Sequence, residues 1–200
     1  MIKHYYYFGE SNGLVGNSLD EQNWDVLRVK GGIKDFALEK TGEEWELNCR
    51  SNESNKRRAE RAVHSVSCKY RNWVSFGIGK GILEWNVKNI EPGISIRGTD
   101  YAEASLSVLE VYANGMFNVG RFNLLSFDDY DELNVYDVAL LGRISTEFDK
   151  KNWGRIFDKL YETSIKEIVF IPTEILNLKI VMNELFSHAS HLISGKKGFF

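Results

Sequence analysis

Proline is scarce. Only Pro92 and Pro172 interrupt 200 residues, so long stretches of chain carry no fixed backbone break. Cysteine is equally sparse. Cys49 and Cys68 are too few to staple a chain of this length, which excludes a disulfide scaffold. Without C-x-x-C spacing they read as free, half-buried thiols. Long apolar runs are missing: the longest, such as Ile168–Ile171, are strand-sized, far short of the roughly 18 residues of a membrane span. Met1–Phe8 shows neither an apolar signal core nor a small-residue cleavage site, so a cytoplasmic location is expected. Charge of one sign is lacking as well. With 25 Lys plus Arg against 28 Asp plus Glu, the net charge is −3, which argues against a general polyanion binder. What the chain does have is 43% hydrophobic and 13% aromatic residues, enough to bury a core and to exclude disorder.

The first half reads as strands. Trp24, Val26, Leu27 and Val29 precede Gly31-Gly32, a hairpin signal. Ile33–Glu39 and Glu43–Cys49 flank a turn at Lys40-Thr41-Gly42, and Trp45-Glu46-Leu47-Asn48-Cys49 alternates as a half-solvated strand does. Val63–Tyr70, Trp73–Ile78 and Ile82–Ile90 continue the series, with Gly77, Gly79 and Gly81 as the tight turn between the last two. The polar stretch Arg50–Arg61 reads as an exposed loop or short helix. The expectation is an antiparallel β-meander of about six strands, ended by Pro92-Gly93.

The second half changes period. Asp100 and Glu103 have capping-box spacing before the stripe Ala102, Leu106, Leu109, Ala113, and Asn114-Gly115 supplies a stop. Met116–Phe127 and Leu133–Leu141 read as two strands joined by an acidic turn. Glu147–Tyr161 is helical, with Trp153, Ile156, Phe157 and Leu160 on one face, and Ile165–Ile171 is a short strand stopped by Pro172. A final helix carries Leu178, Val181, Leu185, Ala189 and Leu192. With Gly93–Arg97 as a strand, residues 93–171 run β-α-β-β-α-β, the order of a ferredoxin-like unit. The expected class is therefore α+β in a single domain over 1–200, with possible sub-units 1–92 and 93–200.

Two charged segments stand out. Lys56, Arg57, Arg58, Arg61, Lys69 and Arg71 place six cations within sixteen residues, followed by Tyr70, Trp73 and Phe76. Such a segment can neutralise phosphates and stack bases, although Glu53 and Glu60 offer local partners. Asp128, Asp129, Asp131 and Glu132 form the acidic turn. Their spacing does not fit an EF-hand loop, so no metal is expected; an acidic surface for a protein partner fits better. Tyr5–Phe8 would add exposed aromatic contacts. The histidines His4, His64, His188 and His191 have no metal-ligand pattern, and neither GIGKG (77–81) nor GESNGLVG (9–16) has phosphate-loop spacing.

Ile94-Ser95-Ile96-Arg97-Gly98-Thr99 looks like the strand-borne Arg-Gly motif of ADP-ribosyltransferases, and Lys166–Pro172 looks like their glutamate strand. What that resemblance implies is an NAD site in which Arg97 holds the dinucleotide, Ser126 takes the serine position and Glu167 stabilises an oxocarbenium-like transition state.

Three readings follow. The leading one is a non-enzymatic protein of the immunity or inhibitor kind, without a cofactor, that contacts a protein partner through Asp128, Asp129, Asp131 and Glu132. The second is nucleic-acid binding or RNA processing through the 56–71 segment. The third is NAD-dependent ADP-ribosyl transfer through Arg97 and Glu167.

Overall fold

The computed structural model describes residues 38–172 apart from 145, 146 and 149. The expected strand at Trp24–Val29, the Gly31-Gly32 turn, most of 33–39, the Tyr5–Phe8 cluster, the 9–16 glycines, the last helix and three of the four histidines lie outside those residues.

Five strands form one sheet: β1 (Asn72–Phe76), β2 (Ser95–Asp100), β3 (Asn118–Arg121), β4 (Val138–Gly142) and β5 (Glu167–Ile171). Their order is β3-β2-β1-β4-β5, and every pairing is parallel. The helices are α1 (Gly42–Ser51), α2 (Glu53–Ser65), α3 (Ile82–Ile90), α4 (Glu103–Tyr112) and α5 (Lys150–Glu162), with a 3₁₀ helix at Phe127–Val135.

Central strands of a parallel sheet must be apolar on both faces. β4, Val-Ala-Leu-Leu-Gly, meets that demand: residues 138 to 141 are fully buried. Val138 and Leu140 enter one core with Trp73 and Ile96; Ala139 and Leu141 enter the other with Val74, Phe76 and Ile168. The first core is closed by α1 to α4 through Trp45, Cys49, Ala59, Ala62, Leu83, Val87, Leu106 and Leu109. The second is closed by the 3₁₀ helix and α5 through Tyr130, Leu133, Trp153, Ile156 and Leu160. Helices on both faces of a parallel sheet make a three-layer, doubly wound, Rossmann-like α/β fold.

This corrects the expected α+β class. Among the described residues neither an antiparallel meander nor a ferredoxin-like unit is present. Residues 93–171 do carry four strands and two α-helices, besides the 3₁₀ helix, but β3 and β4 are not a hairpin: β2 and β1 separate them in the sheet. Three segments read as strands, at 43–49, 63–70 and 82–90, are wholly or partly helical. The Arg50–Arg61 stretch is the end of α1 and most of α2.

Candidate active site at the carboxyl ends of the central strands

In an open parallel sheet, ligands bind outside the carboxyl ends of the strands, where the strand order reverses. Here the reversal lies between β1 and β4. The chain leaving β1 at that point is Gly77-Ile78-Gly79-Lys80-Gly81, which leads directly into α3. All three glycines have positive φ, between 55° and 68°, a region in which side chains are strained. At Gly77 a Cβ would also collide with the side chain of Ile144, which follows β4. The loop therefore passes tightly between the ends of β1 and β4.

The loop is clamped from two sides. Asp100, the last residue of β2, accepts from the amide of Gly79 through Oδ2 at 3.0 Å and from those of Tyr101 and Ala102 through Oδ1 at 2.9 and 3.1 Å. From the first helix layer, Trp45 donates its indole N–H to the Lys80 carbonyl at 2.7 Å. Lys80 itself is paired with Glu39 at 2.8 Å, and Asn48 holds the same carboxylate oxygen. Asp100 lies 19 positions beyond Gly81, which matches the glycine-to-acid separation by which a parallel fold meets a ribose. One acceptor site on Oδ2 remains after the Gly79 bond.

The loop is not a phosphate cradle. Such cradles leave backbone amides aimed at the ligand. Here Ile78 donates to the Thr99 carbonyl, Gly79 to Asp100 and Gly81 to the Ile78 carbonyl, so three amides are engaged within the protein. The first turn of α3 carries the carboxyl of Glu84, buried at 2% exposure. It accepts from Ser75 Oγ at 2.5 Å, while its Oε2 has no partner. Burial, with the negative charge of Asp100 nearby, pushes the Glu84 carboxyl up to about 7, against the opposing hydrogen bond from Ser75. With Lys80 neutralised by Glu39, the charges left at the loop are acidic. The charged side chains at the loop are thus two carboxyls, Asp100 and Glu84, and one compensated pair, Lys80 with Glu39.

The residues singled out from sequence fall elsewhere. Asp128, Asp129, Asp131 and Glu132 lie exposed on the 3₁₀ helix, not on a hairpin tip, and Glu132 pairs with Arg97 at 3.3 Å. Lys56, Arg57 and Arg61 are exposed on α2; Arg58 bonds to Asn55, Lys69 sits over the Tyr70 ring, and Arg71 pairs with Glu91 at the amino end of β1. None of them borders the glycine loop. Arg97 and Glu167 lie on β2 and β5, with β1 and β4 between them. Arg97 is in register with Val74, Ala139 and Ile168, so Glu167, one residue before Ile168, projects from the opposite face of the sheet. Glu167 accepts from the Ser67 amide, and Ser126 directly precedes the 3₁₀ helix without a side-chain cap bond. The inhibitor, nucleic-acid and ADP-ribosyltransferase readings are thus replaced. The glycine loop, Asp100 and Glu84 are the residues the sequence reading missed. Gly-x-Gly-x-Gly after a buried strand was their signal, visible only once Ile82–Ile90 is known to be a helix.

No family model matches the chain, and no curated protein matches it. Solved structures do. One is an S-adenosyl-L-methionine-dependent methyltransferase of Methanococcus maripaludis, at 13% identity and TM-score 0.48, covering 76% of this chain and 73% of that one. Another is the mitomycin 7-O-methyltransferase MmcR, at 15% identity and TM-score 0.48, covering 73% and 45%. A third is PigF with SAH, at 19% identity and TM-score 0.43, covering 50% of this chain. The chain spans about a third of that structure, 31% of its length. Likeness at this level adds nothing to what the sheet order and the loop geometry establish by themselves.

Proposed function

We propose that this chain is the cofactor-binding core of a methyltransferase that uses S-adenosylmethionine. The observation that carries the reading is the Gly77–Gly81 loop, pinned to Asp100 in an acidic setting at the point where strand order reverses. Parallel folds with such a loop hold nucleotides of two kinds. Dinucleotides need free amides and a helix N-terminus for the pyrophosphate. This loop has used three of its amides and places a carboxyl in the first helical turn. An adenosyl sulfonium carries no phosphate and bears positive charge, so the same features suit it.

In this reading Asp100 receives the ribose hydroxyls, the glycines let the ligand approach the backbone closely, and Trp45 and Glu39 keep the loop from shifting. The cofactor supplies an electrophilic methyl group on sulfur. The chain's own contribution is to hold that group at the β1–β4 crevice and to exclude water from it.

Calorimetric titration of the protein with S-adenosylmethionine, S-adenosylhomocysteine, NAD and ATP tests this. Saturable binding of the first two, at least about tenfold tighter than the others, is expected. Preference for NAD or ATP would contradict the reading.

A further inference from the structure

Glu84 has no place in the ribose contact, yet it is the acid most deeply enclosed beside the loop. It lies in the first turn of α3, directly after Gly81, and one carboxylate oxygen is unpartnered. Among the described residues no cation pairs with it. The groups around it are known element by element. β1 contributes the Ser75 hydroxyl, which donates to Oε1. β2 contributes Asp100, whose charge opposes ionisation of Glu84. α1 contributes the buried Cys49 thiol, itself pushed well above its usual range by burial and by Glu39, Glu84 and Glu46. α2 buries Ala59 and Ala62 and adds no charge to the titration of Glu84.

Resting on the methyltransferase reading, we propose that Glu84 is a charge-selecting residue: ionised, it makes this site prefer the positively charged sulfonium cofactor over the neutral thioether product. It acts through the field beneath the loop, not by contact. Bringing a cation to the loop favours the ionised carboxylate, so binding releases a proton from Glu84. The sign is then fixed. The group is raised to about 7, so the stabilising charge is present above that pH and lost below it. Product binding brings no sulfonium charge and lacks the linkage. Product release after methyl transfer is favoured for the same reason.

The test is the ratio of affinities for S-adenosylmethionine and S-adenosylhomocysteine, measured calorimetrically on the whole chain from pH 6 to 8.5. The sulfonium lowers the α-amine pKa of S-adenosylmethionine alone, so the titration of each free ligand is measured separately and subtracted before the ratio is taken. The preference for the sulfonium is expected to fall about tenfold from pH 8 to pH 6. Glu84→Gln should leave the ratio flat, at its low-pH value. Ser75→Ala removes the hydrogen bond that favours ionisation, so it should move the midpoint to higher pH; it serves as the check should Glu84→Gln not fold. A pH-independent ratio in the parent, a slope kept in Glu84→Gln, or an unmoved midpoint in Ser75→Ala would overturn the role of Glu84 while leaving the methyltransferase reading intact. Failure to bind either ligand would remove both.

Discussion

Asp100→Ala should abolish useful cofactor binding, weakening it at least about 100-fold, or roughly 3 kcal/mol. Two losses combine. The carboxylate that meets the ribose is gone, and hydrogen bonds to a charged group are the stronger kind. The loop is also released, because Gly79, Tyr101 and Ala102 all donate to that one side chain. Three buried or half-buried amides would lose their partner, so the folded state should lose about 2–4 kcal/mol as well. Asp100→Asn keeps one acceptor oxygen and should fall between the variant and the parent. Denaturant unfolding alongside calorimetric titration separates the two effects. Asp100→Ala that bound S-adenosylmethionine as tightly as the parent would show that the ribose is held elsewhere.

Gly77→Ala should be nearly as damaging, chiefly through stability. An alanine at φ +68° costs about 1–2 kcal/mol for its left-handed backbone. Its Cβ would also meet Ile144, a buried side chain from the far side of the crevice, and overpacking of that kind adds about 1–3 kcal/mol. Gly115→Ala is the internal comparison. Its φ is +80°, but nothing lies within 4 Å of the added carbon. It should therefore show the backbone cost alone and leave binding unchanged. Equal losses for the two variants in urea unfolding would mean that Ile144 does not press on the loop.

How much of this was legible in the residues depends on the length of each pattern. The α5 stripe of Trp153, Ile156, Phe157 and Leu160 spans two turns and reads unambiguously as helix; all four are buried as expected. The α4 stripe and its Gly115 stop are equally plain, although Asp100 binds the amides of Tyr101 and Ala102 and is not the N-cap itself. Short windows mislead. Trp45-Glu46-Leu47-Asn48-Cys49 alternates over five residues, and alternation predicts that Leu47 is buried with the other two. In the helix, Trp45 and Cys49 are four apart and share the buried face, while Leu47 is 68% exposed. Local cap chemistry carried the better signal: Thr41 accepts from the Glu44 amide, the Thr-x-x-Glu spacing of a helix start.

The same ambiguity hid the site. Ile82–Ile90 holds apolar residues at mixed spacing, so neither period dominates, and its reading as a strand turned Gly77–Gly81 into a hairpin. As a helix, it makes those glycines a strand-to-helix loop at the carboxyl end of a central strand. Glu84 could not be recognised as a buried acid by pattern, because charged residues are rarely enclosed. Only its contact with Ser75 reveals it. Conversely, Arg97 and Glu167 are prominent in sequence, yet strand order keeps them apart.

Amide chemical-shift mapping with S-adenosylmethionine tests the central claim most directly. The largest shifts should fall on Gly77–Gly81 and on Asp100–Ala102, at the carboxyl ends of β1 and β2. Shifts confined to α2, to the 3₁₀ helix at Phe127–Val135 or to the amino ends of the strands, with the glycine loop unmoved, would contradict it.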